Sequence, residues 1–179
     1  MDSAISNKGA SWSLQNTQAP SADRGVMALF SLKGKTAIIA GAAAGIGLAV
    51  AQAYAEAGAN VALWYHSNKS AHDRAAEIEK KYGVRSRAYQ VNVQEPQQIE
   101  NAVQTVLKEF NGRLDIFVAN SGIPWTQGAV TAGQLDHYRK VISTDLDGVY
   151  YAARAVAPLH RDCVDERTHC QCPAIAGGI

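Results

Sequence analysis

The 179-residue sequence predicts an α/β fold, a doubly wound parallel sheet of about four strands with helices on both faces. Short apolar runs alternate four times with segments of helical periodicity, and such alternation favours parallel strands joined by right-handed crossovers. A glycine-rich turn follows the first run, and an Asn-Ser-Gly turn follows the fourth. We therefore expect the N-terminal portion of a sheet of this class.

The first strand and the first helix flank the glycine-rich turn. Residues 35–40 are a short, mostly apolar run that breaks at Gly41, as a buried parallel strand does. Residues 46–57 are small or apolar and precede Gly58, which predicts a helix that ends at a glycine. Residues 60–65 form the second predicted strand.

The later elements keep the same order. Helical spacing over 71–82 is followed by a third strand at 86–93, and a further helix over 96–110 begins with a proline. Residues 114–119 form the fourth strand. A long helix then accounts for a series of spaced apolar positions: Leu135, Tyr138, Val141, Ile142, Val149, Ala153 and Val156.

Composition and charge narrow the class of protein. Apolar residues make up 47% of the chain and charged residues 18%, which suits a soluble globular protein. The formal net charge of +1 does not favour nucleic acid, and no run reaches the ~20 apolar residues that span a bilayer. We expect neither partner, and a cytoplasmic location. Residues 1–30 are expected to be a disordered extension, 31–161 the folded domain and 162–179 an irregular tail.

The strongest chemical signal is the turn between the first strand and the first helix. Gly41 permits a tight turn, Gly45 lets the backbone approach a pyrophosphate, and Gly47 allows close helix packing. The helix N-terminus offers N–H groups and the positive end of its dipole to phosphates. The alternative is a turn with only a structural role. The predicted dinucleotide-binding residues of this turn are Gly41, Ala44, Gly45, Ile46 and Gly47.

The spacing Gly-x-x-x-Gly-x-Gly, followed by Asn120-Ser121-Gly122 after the fourth strand, resembles the short-chain dehydrogenase/reductase family. The resemblance runs from about Ser31 to about Arg161 and implies a Rossmann-like fold, of which this chain holds only the N-terminal portion. It also implies that Asn120 and Gly122 line the cofactor and that Asn120 braces the sheet.

The sequence departs from the family pattern at polar positions around these turns. Ala40 stands where the family usually has Thr, and Ala119 stands where it usually has Asn. Ala44 occupies a position at which many NADP-binding relatives carry Arg. We expect weaker polar bracing of the turn but an unchanged glycine geometry.

Two further segments, residues 117–127 and 143–148, resemble fungal polyol and ketose reductases. That group includes NADP-dependent mannitol dehydrogenase, sorbose reductase and L-xylulose reductase, so the resemblance implies reversible reduction of a small sugar ketone to a polyol. It places Asp145 where the family often has an Asn that supports a proton-relay water. A helix residue that is hydrogen-bonded locally is the alternative for Asp145, and an ordinary loop is the alternative for Pro124 and Trp125.

The end of the second strand favours NADP over NAD. NAD-binding proteins typically place an acidic residue here, which hydrogen-bonds the ribose 2′-hydroxyl. This chain has no carboxylate to repel a 2′-phosphate at that point, and it offers several hydrogen-bond donors. The alternative is that Lys69 begins a solvated helix face. The candidate residues are Tyr65, His66, Ser67 and Asn68, followed by Lys69.

The end of the third strand supplies candidates for the adenine end of the cofactor. Asn92 sits where the family usually places an Asp against the adenine, and Val93 follows it. The Asn92 amide can make an equivalent contact, so both residues are predicted to bind the cofactor.

The catalytic pair that the resemblance implies is not found after Asp145. In the family a Lys follows the catalytic Tyr by four residues, because a Tyr with a pKa near 10 needs a neighbouring cation to exchange protons near neutrality. Tyr150 and Tyr151 are followed at that offset by Arg154 and Ala155, and no Lys occurs after position 140.

Two hypotheses about function therefore stay open. The chain belongs either to an NADP-dependent oxidoreductase whose remaining site residues lie in sequence not present here, or to a catalytically inactive nucleotide-binding fragment. A protein-interaction module ranks last and rests on the long helix, whose apolar face could form a homo-oligomer.

The end of the chain differs in kind from the rest. Residues 162–179 show no apolar period and contain all three cysteines. A frame shifted by one nucleotide can encode TASMSGHIVNVPQLQAAY there, which resembles the polyol-reductase segment that carries the catalytic Ser and ends at the catalytic Tyr. We expect a frameshift or a mis-predicted splice junction near Arg161. His169, Cys170 and Cys172 make a poor zinc site without a second ligand pair, so no metal is expected.

Overall fold

A computed structural model describes residues 25–159 of the chain. The predicted extension up to residue 24 and the predicted tail at 162–179, with its cysteines, lie outside the described residues. Described residues up to Ser31 belong to one unit, and those from Leu32 onward belong to another. In the first unit, helix α1 is a single turn, Val26–Leu29.

The second unit is built on a four-stranded parallel sheet whose spatial order is β3-β2-β1-β4. β1 pairs with β2 over its full length and with β4 over residues 37–39, and β2 pairs with β3. The predicted α/β class with a doubly wound, Rossmann-like parallel sheet is confirmed. The strands are β1 Thr36–Ala40, β2 Asn60–Tyr65, β3 Ser86–Gln90 and β4 Ile116–Val118.

Helices connect the strands and cover both faces of the sheet. Among the described residues, no helix is both long and apolar enough to cross a bilayer. The helices of this unit are α2 Gly45–Glu56, α3 Ala71–Tyr82, α4 Pro96–Glu109, α5 Leu135–Ile142 and α6 Gly148–Val156, with a π-helical turn at Ser143–Asp147 between the last two.

Successive residues of β1 point to opposite sides of the sheet and into separate parts of the core. Ile38 is buried on the face covered by α4 and α6, together with Trp64 and Phe117, whose rings meet edge to face at 5.4 Å. Ala37 and Ile39 are buried on the face covered by α2 and α3. Because both faces are covered, the sequences of β1, β2 and β4 are almost continuously apolar rather than alternating, whereas the edge strand β3 carries polar residues.

The predicted long helix is present, but the π-turn, residues 143–147, interrupts its regular period. A π-turn closes its hydrogen bonds over five residues instead of four, which rotates the helix that follows. Ala152 and Val156 are therefore buried in the core, whereas Ala153, which the helical period groups with Val156, is only partly covered.

Two predicted strands are shorter than expected, and side chains form hydrogen bonds at the ends where they are shorter. β3 ends at Gln90, and the Asn92 side chain then accepts the N–H of Gln94 at 3.1 Å, which turns the chain out of the sheet. β4 begins at Ile116, and the preceding Asp115 binds β1 both through its N–H, which donates to the Thr36 carbonyl at 2.9 Å, and through its carboxylate.

Asp115 anchors β4 to β1 at the amino end of the sheet. Its carboxylate accepts the Thr36 N–H at 2.9 Å, the Lys35 ammonium at 3.1 Å and the Arg113 guanidinium at 2.7 Å. Burial raises the pKa of the Asp115 carboxyl, but the hydrogen bonds from Arg113, Thr36 and Lys35 outweigh it, so the pKa lies below its ordinary value.

Candidate nucleotide-binding site

A cleft of about 310 Å³ lies at the carboxyl ends of the strands. The chain adds β2 and β3 on one side of β1 and then crosses to place β4 on the other side. The loops after β1 and β4 therefore diverge, and open α/β sheets bind ligands at such a switch point. The residues that line the cleft are Gly41, His66, Val91, Asn92, Val93, Gln94, Asn120, Ser121, Gly122, Ile123 and Thr144.

The glycine-rich turn leaves open backbone beside this cleft. Gly41 and Gly45 have φ values of +70° and +58°, a conformation that favours glycine. A Cβ on Gly47 would lie 2.4 Å from the Gly41 carbonyl oxygen, so only glycine fits there. Among the described residues, nothing outside the adjoining backbone comes within 4 Å of the Cβ position of Gly45, and α2 begins at this residue, one position before the predicted start. Its first N–H groups have no carbonyl partner within the helix and can bind phosphate.

Asn120 ties the end of β4 to the end of β1. Its amide nitrogen donates to the carbonyl oxygens of Ala40 at 3.1 Å and Gly41 at 3.3 Å. The N–H of Ala42 donates to the carbonyl oxygen of Trp64 at 3.0 Å, which holds the same turn to β2. These bonds brace the turn although Ala40 replaces the hydroxyl-bearing residue of the family pattern.

The end of β2 differs from the sequence expectation at Tyr65. Its side chain is buried, and its hydroxyl lies 2.9 Å from Nε2 of His72. The hydroxyl thus has a partner within the protein, the imidazole of His72 on α3. The four residues that follow are exposed and carry the remaining donors: His66, Ser67, Asn68 and Lys69.

The loop after β3 is fixed by amide side chains. The Asn92 N–H donates to Oε1 of Gln98 at 3.0 Å, and Oδ1 of Asn92 accepts the Gln94 N–H. Gln94 in turn reaches the π-turn, where its amide donates to the Thr144 hydroxyl at 2.8 Å. Asn92 and Val93 thereby face the cleft from a loop with a defined shape.

Asp145 holds the loop after β4. Its Oδ1 accepts the N–H of Ile123 at 2.9 Å, and a Cβ on Gly122 would lie 3.5 Å from the same carboxylate. The side chain is exposed and does not itself line the cleft. Its bond spans 22 residues, so the alternative of a purely local helix bond does not describe it.

The structure brings together part of the predicted site. Six predicted residues line the cleft: Gly41, His66, Asn92, Val93, Asn120 and Gly122. Five predicted residues lie beside it on the glycine-rich turn or the β2 loop, without lining it: Ala44, Gly45, Ile46, Ser67 and Asn68. Gly47 and Tyr65 are buried behind those two segments.

Five residues that line the cleft were not predicted. Ser121 and Ile123 belong to or follow the Asn-Ser-Gly turn, so that motif could have indicated them. Val91 and Gln94 directly flank the predicted Asn92 and Val93 pair. Thr144 lies in the segment 143–148 that resembles polyol reductases, but that segment does not indicate its contact with Gln94, which joins residues 50 positions apart.

The family described as enoyl-(acyl carrier protein) reductase matches residues 41–163, which is more than half of the chain. The chain belongs to the short-chain dehydrogenase/reductase family. The resemblance carried by the two glycine-containing turns is confirmed.

Individual members of the family agree with this assignment. L-Xylulose reductase of Hypocrea jecorina is 52% identical over 90% of this chain and 56% of its own length. A probable NADP-dependent mannitol dehydrogenase of Yarrowia lipolytica is 47% identical over 77% of this chain and 49% of its own length. NADPH-dependent 3-quinuclidinone reductase from Rhodotorula rubra superposes with a TM-score of 0.73 and 37% identity, over 83% of this chain and 55% of its own.

The chain thus spans about half the length of the short-chain dehydrogenases/reductases that it matches. The range 41–163 contains the glycine-rich turn, the strands β2, β3 and β4, and the residues that line the cleft.

Proposed function

We propose that the chain is the NADP(H)-binding part of a reductase that interconverts a small sugar ketone and a polyol. The observation that carries this proposal is the close contact between Gly47 and Gly41, which packs the start of α2 against the end of β1, with the backbone at Gly45 left uncovered. This is the arrangement in which a glycine-rich turn lets a pyrophosphate approach the helix N-terminus. Names of relatives such as L-xylulose reductase and mannitol dehydrogenase support the substrate class.

The choice of NADP rests on the loop after β2. His66, Ser67 and Lys69 are exposed there, and no carboxylate stands at the end of the strand. Cationic and hydroxyl donors favour a 2′-phosphate, which an acidic residue would repel. Relatives named as NADP-dependent and NADPH-dependent support the same choice.

NADP(H), when bound, supplies or accepts a hydride at its nicotinamide ring. The residues of this chain would bind and orient it: the first turn of α2 holds phosphate, while Asn92 and Asn120 lie at two sides of the cleft. Asp145 fixes the loop after β4 through Ile123. All of these contacts concern the cofactor side of the proposed site.

A second candidate is a nucleotide-binding chain without turnover. No Lys follows position 140 in the sequence, so no Tyr-x-x-x-Lys pair follows Asp145. Tyr65 and Lys69 have that spacing, but they lie on a strand end and a loop, and the Tyr65 hydroxyl is bonded to His72. Neither Tyr65 nor Lys69 lines the cleft, so this pair does not place a phenol and an ammonium group beside a ligand there.

Two measurements on the purified chain distinguish these proposals. Fluorescence titration with NADPH and with NADH measures binding and preference, and NADPH oxidation in the presence of D-fructose, L-sorbose or L-xylulose measures turnover. Binding with turnover supports the reductase, and binding without turnover supports the second candidate. Absence of NADPH binding would contradict both.

We further propose that the chain forms a homo-oligomer through the apolar side of α5, the π-turn and α6. Leu135, Tyr138, Leu146 and Tyr150 are between 53% and 69% exposed and recur at three- or four-residue spacings through Ile142. Exposed apolar stripes of this kind usually mark protein contacts. Sedimentation should give a dimer or larger species that L146E dissociates, and a monomeric parent chain would contradict this.

The proposal places the protein in the cytoplasm, in keeping with a reductase that uses a soluble dinucleotide and a small sugar. Fractionation of cells that express the tagged chain tests this, because the chain should appear with cytosolic markers. Recovery with sedimented membranes would contradict it.

A further inference from the structure

We propose that the π-turn, residues 143–147, is a positioning element for the nucleotide cleft, in which the Thr144 hydroxyl sets the loop that carries Asn92 and Val93. The inference rests on the proposed NADP(H) function and deepens it. It concerns residues that do not belong to the glycine-rich turn. Thr144 lies in the segment 143–148 that resembles polyol reductases, but that resemblance implies no role for it.

Thr144 sits at the junction of three segments. Its hydroxyl donates to the Lys140 carbonyl at 2.9 Å and accepts the Gln94 amide at 2.8 Å. The residue is 8% exposed and also lines the cleft. The Thr144 hydroxyl thus both donates and accepts a hydrogen bond. Buried hydrogen bonds of this kind hold Gln94 and the π-turn in one relative arrangement.

The π-turn makes this arrangement available. The Lys140 carbonyl accepts two hydroxyl groups, from Ser143 at 3.1 Å and from Thr144 at 2.9 Å. Single π-turns inside helices occur mostly at functional sites, where they displace residues from the regular helical positions. Here the displacement leaves Thr144 directed at the Gln94 amide rather than at its own helix alone.

Gln94 is the link between the loop after β3 and this helix. The other bonds of the loop are short-range: Gln94 N–H to Oδ1 of Asn92, Glu95 N–H to the Asn92 carbonyl, and Asn92 N–H to Gln98. They shape the loop, but they do not tie it to the helix on the far side of the cleft. The Gln94 amide provides that tie.

The next residue of the π-turn holds the opposite loop. Asp145 accepts the N–H of Ile123, so consecutive side chains bind the loop after β3 and the loop after β4. Both loops line the cleft. The π-turn therefore fixes the width of the cleft, because it holds the loops on both of its sides. Loss of either bond should weaken nucleotide binding, although neither bond involves a residue proposed to bind the phosphates.

The test compares T144V with two controls. T144S keeps the hydroxyl, and T105V removes a helix hydroxyl that donates to the carbonyl four residues earlier at 2.9 Å, but on α4 and outside the cleft. Loss of the Thr144 bond should raise the Kd for NADPH by about 3- to 10-fold, the value of one typical hydrogen bond. T144S and T105V should stay within about twofold of the parent, since neither removes a contact of the cleft.

A double-mutant cycle separates positioning from a general loss of stability. Q94A should weaken NADPH binding about as much as T144V, and the double variant should be no weaker than either, because both remove the same bond. Additive effects, or equal Kd values for T144V and T105V, would overturn the inference. Thermal denaturation of each variant confirms that the comparison is made between folded chains.

A second readout keeps the inference testable if the parent chain does not bind NADPH, which would contradict the proposed function alone. Backbone amide hydrogen exchange over residues 92–95 should be faster in T144V than in the parent or T105V, because the loop has lost its tie to the helix. Equal exchange in all three chains would overturn the positioning role.

Discussion

Gly47 lies so close to Gly41 that a Cβ on Gly47 would be 2.4 Å from the Gly41 carbonyl oxygen and 2.6 Å from the Asn120 amide nitrogen. The glycine-rich turn, the first helix and the end of β4 thus meet at one point. The two loops that diverge at the switch point are held together there, whereas the Cβ position of Gly45, two residues earlier, is open space. The contact thus holds the turn firmly against the sheet and leaves the backbone at Gly45 uncovered for a ligand.

G47A should disrupt this contact. The methyl group cannot be accommodated without moving the turn, so we expect the Kd for NADPH to rise by more than about tenfold and the stability to fall by about 1–3 kcal/mol. A49G is the matched control, because it weakens the exposed side of the same helix by about 0.5–1 kcal/mol without touching the turn. Equal Kd values for G47A and A49G would show that the contact does not shape the site.

N120D tests the bridge between β4 and β1. The substitution replaces an amide donor with a carboxylate that faces the carbonyl oxygens of Ala40 and Gly41. Unfolding in urea should show a loss of about 1–3 kcal/mol at neutral pH, because two buried bonds become repulsive contacts. N101D is the control, since Asn101 is an exposed residue of α4 outside the cleft and an Asp there keeps the oxygen that accepts the Gln97 amide. A parent-like midpoint for N120D would contradict the bridging role.

The sequence could predict the sheet because its determinants are local. Buried strands such as β1 are short apolar runs, and the glycines at 41, 45 and 47 are demanded by backbone conformation and contact over seven residues. The turn at Asn120 is also a local feature, because it directly follows the fourth apolar run of the sequence. Each of these features is visible in a short window of sequence.

The features that the sequence did not predict depend on contacts between separate elements or on the rotation of a helix about its axis. The bond between the Tyr65 hydroxyl and His72 could not be predicted, because it forms only when α3 packs at the end of β2. The π-turn has no composition signal, so the burial of Ala152 in place of Ala153 and the role of Thr144 followed only from the three-dimensional arrangement.

K69E tests the preference for NADP over NAD. Lys69 is exposed in the loop after β2, and the reversed charge should repel a 2′-phosphate. We expect the Kd for NADPH to rise by about tenfold or more and that for NADH to change by less than about twofold. K80E changes the net charge equally from the far end of α3, so it should leave both values near those of the parent. If K69E and K80E raised the Kd for NADPH equally, the change in net charge, and not the position of Lys69, would explain the effect.

D115N should make the free energy of unfolding less dependent on pH in the acidic range. The folded pKa of Asp115 lies below the ordinary value of 3.8, so its charge stabilises the folded state above that value. This contribution is lost as the pH falls through the lowered pKa. The parent should exceed D115N by about 1–2 kcal/mol at neutral pH, since the carboxylate is largely covered while its cations are partly exposed.

The pH series of urea denaturation checks this sign. The difference between the parent and D115N should be constant at neutral and mildly acidic pH and should shrink below about pH 4. D136N removes an exposed carboxylate that pairs with Arg139, and it should change stability by less than about 0.5 kcal/mol at every pH. A gap between the parent and D115N that widens toward low pH would contradict the lowered pKa.

Y65F distinguishes a structural phenol from one that reads the cofactor. Because the Tyr65 hydroxyl bonds to His72, its removal should lower stability by about 0.5–1.5 kcal/mol and leave the Kd for NADPH within about twofold of the parent. H72F should lose a similar amount, and the double variant should lose little more, because one bond is removed in each case. If Y65F instead weakens NADPH binding by about tenfold while NADH binding is unchanged, the hydroxyl contacts the 2′-phosphate and the bond to His72 is not its main role.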